Sequence, residues 1–408
     1  MKWWVRPASQ DDSRFLVPFM AYAFLNNFIP YLAILPFIYA QLSFTTMQMS
    51  TITVLGNVLI TLLEIPTGSV ADRYGRKAST LMGIAFIAAG ILFVLLSSKT
   101  FAVMLSWMVF QAIGVTLISG ADRALLFDTL KEHAQENQYQ MICGRFMGLA
   151  RVSGFLATAV AGVLFKAYGF NVLLIIALAA KAGAFLCILC VTSESSRPRA
   201  EKPSYRSVVR LSLTHITRNR VLAYGIALYA ILGATGIAWE YRSLIFSTKM
   251  TNDPSIVAGL TSITTVIYAL ALYGSGWVRP ILQRDRYRLS FLLVPLAILA
   301  ATLLPRFLGL AALLVYVFLG GALLPFNDAL LNAALKQDEL RATVLSTASL
   351  VRSTVYSLVV LMFGRLGKYG VATAMAVTSG VLFLICGILL SVGRTTDTGV
   401  APSEAESR

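Results

Sequence analysis

Charged residues are scarce in this chain of 408 residues, because Asp, Glu, Lys and Arg together make up only 13% of it. A soluble domain carries about 25%. With 57% hydrophobic residues and a mean hydropathy of +0.74, the composition is that of a polytopic membrane protein. Each span needs about 20 apolar residues, so twelve spans would use roughly 240. The remainder suffices for short loops and leaves no room for a separate soluble domain.

Histidine and cysteine are also scarce, with two and four residues. Both histidines fall in predicted loops, and the cysteines lie in apolar stretches where a small thiol packs well. We therefore expect no metal site and no cofactor. The sequence contains no GxxxxGK[ST] phosphate loop, which argues against ATP-driven transport by this chain. A nucleophile–base pair is not visible either, so we do not expect an enzyme.

Apolar segments separated by short polar stretches predict an all-α fold with twelve transmembrane helices. The expected spans lie near 15–40, 47–67, 79–96, 101–125, 141–165, 171–191, 221–246, 255–278, 289–304, 307–335, 342–366 and 371–392. The segment between the sixth and seventh spans is rich in Ser, Pro and Arg, which is typical of a linker. The predicted domains are an N-terminal six-helix bundle, a cytoplasmic basic linker, a C-terminal six-helix bundle and a disordered cytoplasmic tail, at 1–192, 193–220, 221–393 and 394–408.

The net charge of +15 comes from Lys and Arg that gather in alternate loops. Such asymmetry sets membrane orientation and predicts that both termini are cytoplasmic. It also attracts anionic lipid headgroups. The excess charge is therefore explained by a bilayer partner, and we expect no nucleic-acid partner.

An internal repeat supports two related halves. Asp122-Arg-Ala-Leu-Leu-Phe-Asp-Thr-Leu-Lys131 matches Asn327-Asp-Ala-Leu-Leu-Asn-Ala-Ala-Leu-Lys336 at an offset of 205 residues. An even number of spans in each half predicts parallel repeats, related by an axis along the membrane normal.

A charged stretch between the second and third spans carries a family resemblance. It contains Gly68, Asp72, Arg73, Gly75, Arg76 and Lys77 in the order GSVADRYGRK. Together with the six-plus-six arrangement it resembles the major facilitator superfamily. The run Glu64-Ile-Pro-Thr-Gly68 and the segment from Ser119-Gly120 to Asp128 resemble its drug- and metabolite-efflux branches.

The resemblance implies two pseudo-symmetric six-helix bundles that work by alternating access. It implies a monomeric, multi-pass protein of the bacterial inner membrane that moves a small organic solute, exported at the expense of a proton or other ion gradient. The solute would be an anionic metabolite, a siderophore or a drug. Import or exchange of an organic anion stays open as an alternative, and a non-transporting sensor or a membrane-embedded enzyme are rivals from other classes.

Two arginines occupy matched positions in the two halves. Arg151 lies about ten residues into span five and Arg352 about ten into span eleven, 201 residues apart. A charge at mid-bilayer costs about 3 kcal/mol or more, so it needs a reason. A guanidinium offers bidentate recognition of a carboxylate or phosphate, which predicts an anionic substrate. Neutralisation of each arginine by Asp328 or Glu240 is the competing interpretation.

Other polar residues fall inside predicted spans. We predict that Asn27, Tyr31 and Gln111 line the substrate cavity; hydrogen bonding between helices is an equal alternative. Asp328 and Glu240 are the candidates for proton coupling, since a substrate that competes for an arginine would leave a carboxylate free to take a proton. An outer salt bridge between Glu240 and Arg242 is the alternative there. Trp239 and Tyr241 could stack on a substrate or belong to an interfacial aromatic belt, and the belt is favoured. Asn26 is a further hydrogen-bonding candidate in span one, and the long stem of Lys181 in span six could reach inward between helices.

The charged stretch is predicted to be a conformational latch. Its members are Gly68, Asp72, Arg73, Gly75 and Arg76, together with Asp128 at the inner end of span four. By the resemblance, Asp72 meets the N-terminal end of a helix of the other half, where the helix dipole favours an anion. Arg76 would then reach Asp128.

Overall fold

A computed structural model describes residues 15–191, 220–275, 286–333 and 338–394, and the regular structure there is helical. The N-terminal part contains α1 (Leu16–Asn27), a 3₁₀ turn (Leu32–Ile34), α2 (Leu35–Gln41), α3 (Thr46–Tyr74), α4 (Arg76–Leu96), α5 (Phe101–Ile118), α6 (Ala121–Glu132), a 3₁₀ turn (Glu136–Gln138), α7 (Tyr139–Tyr168) and α8 (Phe170–Leu189). The C-terminal part contains α9 (Arg220–Ala234), α10 (Gly236–Glu240), α11 (Arg242–Lys249), α12 (Pro254–Tyr273), α13 (Arg286–Leu303), α14 (Arg306–Ala333), α15 (Asp338–Leu366), a 3₁₀ turn (Gly367–Tyr369) and α16 (Val371–Arg394).

Eleven helical segments of the described residues are long and apolar enough to cross a membrane. A further apolar helix, Phe291–Leu303, lies where the ninth span is expected, but it is shorter. The predicted all-α, polytopic membrane fold is confirmed, and the count of twelve spans stays a prediction.

The chain forms two compact units. The described residues of the first unit are 15–191 and 246–263; those of the second are 220–245, 264–275, 286–333 and 338–394. In the first unit α1 packs against α7 and α8, and α4 packs against α5 and α8. In the second unit α9 packs against α15, and α13 packs against α14 and α16. The domain boundaries predicted from composition stay predictions.

Three spans expected to be continuous are interrupted. Span one stops at Asn27 and resumes at Leu35, because Pro30 has no N–H with which to continue the helical ladder. Span four breaks at Gly120, whose φ of +79° lies in the left-handed region that glycine adopts without strain. Span seven is divided at Thr235 and again at Tyr241. The interruption in span one leaves the Asn26 carbonyl without a helical N–H donor, whereas at span seven the Thr235 and Tyr241 amides still donate to the carbonyls four residues earlier.

The charged stretch after span two is not the loop that its polarity suggests. Helix α3 continues to Tyr74, and α4 begins at Arg76, so Gly75 alone separates the two helices. Its φ of +92° explains why a glycine stands at the turn. The stretch is a corner between two helices, which fixes the direction of its side chains more firmly than a loop would.

Outside the spans, Asp253 organises the start of α12 in two ways. Its Oδ1 accepts a hydrogen bond from the Ser255 amide at 2.9 Å, which caps the helix. Its Oδ2 receives the Lys166 ammonium at 2.5 Å. This contact, with the helix cap, holds the pKa of the Asp253 carboxyl below its ordinary value. Both side chains are partly exposed, so solvent weakens the ion pair.

The two roles of Asp253 can be separated. Asp253→Asn keeps an oxygen for the cap and removes the ion pair, whereas Asp253→Ala removes both. We expect the unfolding temperature of the detergent-purified protein to fall slightly for Asn and further for Ala at pH 7. Since the folded-state pKa is lowered, the stabilisation is present above the unfolded value near pH ~4. It is lost as the pH falls through the folded value, so the gap between wild type and Asn closes in acid. A gap that does not depend on pH would contradict this assignment.

Candidate functional site

The break in span one is filled by a polar cluster of Tyr22, Asn26, Asp122 and Lys181, named here the Lys181 cluster. Lys181 on α8 is 1% exposed. Its ammonium donates to the Asn26 main-chain carbonyl at 2.5 Å and to the Asn26 side-chain oxygen at 2.7 Å. The Asn26 amide donates to the Tyr22 hydroxyl at 3.3 Å, and that hydroxyl donates to Asp122 at 3.5 Å. The cluster therefore joins a buried cation to a carboxylate through two intervening side chains.

Of the three residues predicted to line the cavity, Tyr31 and Gln111 lie side by side in the first unit. Tyr31 is 2% exposed, its ring meets that of Trp107 at 5.3 Å, and its hydroxyl lies beside the Gln111 side chain. The Gln111 amide nitrogen is buried and has no hydrogen-bond partner among the described residues. Asn27 instead donates to the carbonyl of Ala23 in its own helix, at 2.9 Å. Gln111 thus keeps an unused donor, and the substrate-binding role of all three stays a prediction.

Arg151 is exposed near the middle of α7 and forms no hydrogen bond or ion pair with the described residues. At about 3.6 residues per turn it shares a helix face with three glycines, Gly144, Gly148 and Gly162. Large apolar side chains occupy a different stripe of α7, formed by Val152, Leu156 and Val163. A charge facing hydrocarbon is costly. We therefore expect the face that carries Arg151 to be turned toward protein or water rather than toward lipid.

In the second unit, Arg352 lies at the middle of α15 with a buried Nε that has no hydrogen-bond partner among the described residues. Its guanidinium carbon lies 5.3 Å from the centre of the Tyr229 ring. The stem passes over Gly233, where a Cβ would be 2.2 Å from Arg352 Cγ. Neutralisation by Glu240 does not occur in this structure, because no ion pair within 4 Å joins them; the Asp328 side chain is outside the described part. The cation–π contact with Tyr229 does not supply an acceptor for the buried Nε donor.

Glu240 and Arg242 flank the second interruption of span seven. Arg242 is 5% exposed, and its Nε donates to the Thr264 hydroxyl at 3.1 Å. The same guanidinium donates to the Trp239 carbonyl and covers the Trp239 ring at 4.0 Å. Glu240 lies near enough to Arg242 to interact electrostatically, yet they form no ion pair within 4 Å. The proposed outer salt bridge is therefore not made, and Arg242 instead stabilises the broken backbone.

The expected interfacial belt does not fit Tyr241, which is buried in the second unit, whereas for Trp239, which is partly exposed, it stays a prediction. Tyr241 is 1% exposed, and its ring packs at 4.7 Å against Phe363. Trp239 packs at 4.9 Å against Tyr268.

At the helix corner, Arg76 forms an ion pair with Asp128, and its guanidinium also donates to the Ala124 carbonyl at 2.9 Å. Lys77 donates to two carbonyls at the end of α8, those of Leu189 and Val191, at 2.9 and 2.6 Å. The contact of Arg76 with Asp128 lies within the first unit. Asp72 and Arg73 are exposed on the same corner. The latch role of this motif stays a prediction.

Sequence reasoning missed the Lys181 cluster. The sequence did contain one indication of it, the proline four residues after Asn26. Since Pro30 has no N–H, the Asn26 carbonyl has no helical donor and needs another one. A lysine inside an otherwise apolar span was the second half of that indication. The sequence does not show that the two meet across 155 residues.

The described structure has two helical units, interrupted membrane spans and buried cations. These features are typical of a multi-pass membrane protein of the transporter class. The sequence profile of the Major Facilitator Superfamily matches residues 15–359, and the chain belongs to that family. Family membership makes it a secondary transporter rather than an enzyme. A comparison with curated proteins found no match.

Solved structures with the same fold cover nearly the whole chain. The nucleoside transporter NupG is similar at a TM-score of 0.76 and 13% identity, over 95% of this chain and 100% of that one. The peptide transporter POT in complex with sulfate has a TM-score of 0.74 and 13% identity, over 94% of each chain. A D-xylose-proton symporter has a TM-score of 0.69 and 13% identity, over 94% of this chain and 97% of that one. Identities this low establish the fold alone.

The contact between Gly233 and Arg352 predicts an unusual response to alanine. In an open helical position, Gly→Ala stabilises by about 0.5–1 kcal/mol. Gly233→Ala instead places a methyl group against the Arg352 stem and should destabilise by about 1–3 kcal/mol. The matched control is Gly320→Ala, where nothing lies within 4 Å of the added Cβ. Unfolding temperatures in detergent provide the measurement, and equal responses of the two variants would show that the Arg352 stem does not pack as described.

Proposed function

We propose that this transporter carries a small organic anion, and that Arg352 is its principal anion-binding residue. The observation that supports this most strongly is the buried Arg352 Nε with no hydrogen-bond partner among the described residues. A buried N–H donor without an acceptor is unfavourable, because the hydrogen bond that it made to water is not replaced. A carboxylate or phosphate would supply the missing acceptors in the bidentate geometry that a guanidinium prefers.

Arg151 and Gln111 are the proposed partners of the anion in the first unit. Arg151 carries a second charge that no described residue pairs, on the glycine face of α7 and away from the apolar stripe. Gln111 keeps a buried amide donor unused beside Tyr31. Both groups offer donors, which suits an anionic solute better than a cationic one. Asn27 and Tyr31 would complete the lining with neutral polar atoms.

Export coupled to a proton gradient across a bacterial inner membrane is the proposed direction. It rests on the efflux-type runs at Glu64–Gly68 and Ser119–Asp128. Glu240, which forms no ion pair with the described residues, and Asp328 are the proposed proton carriers. The corner motif would act as the latch, with the Arg76–Asp128 ion pair holding one side of it rigid.

The experiment is counterflow in liposomes, which requires a carrier but no ion gradient. Matched labelled pairs serve as probes: uridine and uridine monophosphate, xylose and xylonate, benzamide and benzoate. We expect exchange of one or more anionic members and little exchange of their neutral counterparts. No exchange of any probe that binds, or exchange of neutral members alone, would contradict an anion carrier and favour a sensor or a neutral-solute transporter. Imposed gradients of either sign then separate export from import.

Substitution of Arg352 tests its role. Arg352→Gln removes the charge-assisted hydrogen bonds, each of which is worth about 1.5–3 kcal/mol, so the apparent affinity for the exchanged anion should fall about 10- to 100-fold. Arg352→Lys should recover part of the loss, because a point charge replaces a planar fork. The control is Arg365→Gln, an exposed arginine in the last turn of the same helix. Unchanged affinity in Arg352→Gln, with protein that folds and inserts, would rule out the anion clamp.

A further inference from the structure

Lys181 is a buried cation that the proposed anion site does not use. It is 1% exposed in the middle of α8, and its Nζ contacts two oxygens of a single residue, Asn26. Fully buried lysines are rare unless they are paired. Its surroundings therefore have to explain how the charge is tolerated.

No carboxylate lies on the helices that surround Lys181. Helix α8 packs against α1, α4 and α7, and these four segments contain neither Asp nor Glu. Their cations add positive charge instead: Arg76 and Lys77 at the start of α4, and Arg145, Arg151 and Lys166 on α7. Tyr139, Cys143 and Tyr168 lie toward the ends of α7, and Cys187 lies on α8 itself. Among the described residues, Tyr22 on α1 connects to Lys181 by hydrogen bonds through Asn26, and Asp122 on α6 connects through Tyr22.

The Asn26 carbonyl is available because of a proline. In an α-helix this carbonyl accepts from the N–H four residues later, and that residue is Pro30, which has none. Lys181 donates to it instead at 2.5 Å. The ammonium also lies at the C-terminal end of α1, where the helix dipole favours a cation. The charge of Lys181 thus stabilises the broken form of span one.

The two hydrogen bonds that Lys181 donates are compatible with both its charged and its neutral form. An ammonium has three N–H donors, and Asn26 uses two of them, which leaves one buried donor without an acceptor in this contact. A neutral amine has two donors, and both are used. Both forms can therefore keep the two Asn26 contacts, but only the charged form adds the electrostatic attraction to the end of α1.

From this geometry we propose that Lys181 is the proton-binding site of the N-terminal unit. It exchanges a proton with water, and its charge sets the conformation of the break in span one. When the amine is neutral, the attraction to the end of α1 is lost and the segment from Phe28 to Ile34 rearranges. The side chains of Asn26 and Tyr22 pass the change toward Asp122, whose carboxylate receives the Tyr22 hydroxyl at 3.5 Å. The use of this proton in a transport cycle rests on the proposed function; the titration itself does not.

Trp107 reports on the break, because its buried ring packs at 5.3 Å against Tyr31, within the rearranging segment. The experiment uses the full-length protein in detergent with the other four tryptophans, Trp3, Trp4, Trp239 and Trp277, replaced by Phe. Trp107 emission is followed from pH 5 to pH 10 without any solute. We expect a shift between two plateaus with one midpoint. If the fourfold variant does not fold, the difference between wild type and Trp107→Phe gives the same signal.

Two substitutions should bracket the titration. Lys181→Arg stays charged throughout this range, so its emission should stay flat at the low-pH plateau. Lys181→Met should be flat at the high-pH plateau, and Lys99→Met, a lysine at the edge of a turn, should titrate like the parent. A parent protein without a titration, or a midpoint that survives in Lys181→Arg, would overturn the proposal. Because no solute is present, this outcome is independent of whether the anion-carrier proposal holds.

Discussion

A carbonyl oxygen in the middle of a bilayer must find a donor inside the protein, and much of this molecule's polar chemistry depends on that constraint. The break in span one releases the Asn26 carbonyl from the helical ladder, and at span seven side chains add donors to main-chain carbonyls beside the interruptions. At span one Lys181 donates to Asn26, and at span seven Tyr316 donates to Thr235 at 2.8 Å and Arg242 donates to Trp239. The donors are long side chains from the same compact unit. Ionisable side chains are consequently held against the helix interruptions by main-chain carbonyls.

The two units meet the constraint with different residues. The first uses a lysine and an asparagine, linked through a tyrosine to Asp122. The second uses an arginine held over a tryptophan ring and bonded to a threonine hydroxyl. Arg352 is different from both, because its buried Nε makes no hydrogen bond in the described structure. The Arg352 Nε does not donate to a main-chain carbonyl, so this donor stays available to a ligand. Lys181 and Arg242, in contrast, donate to the backbone, and this difference distinguishes the proposed binding residue from the structural cations.

Much of the fold could be predicted from the sequence, because membrane spans have a length and an apolar character that composition reveals. Arg151 and Arg352 could also be singled out, since a charge in an apolar span is visible without a structure. The breaks were harder: Pro30 and Gly120 are helix-breaking residues, but many membrane helices tolerate both. The pairing of Lys181 with Asn26 and the packing of Arg352 against Gly233 depend on which helices are neighbours. The spacing of residues along the sequence does not show which helices are neighbours. It also does not show that α3 continues to Tyr74, because the polar residues of the corner suggest a loop.

The central claim is that Arg352, whose buried Nε makes no hydrogen bond in the described structure, makes this transporter specific for anions. The most direct measurement is a thermal-shift screen of the purified protein with small carboxylates and phosphates, each paired with its neutral amide or alcohol isostere. The account predicts that stabilising compounds are anions, that their isosteres have little effect, and that the shifts vanish in Arg352→Gln. Equal stabilisation by neutral isosteres, or shifts that persist without Arg352, would contradict it.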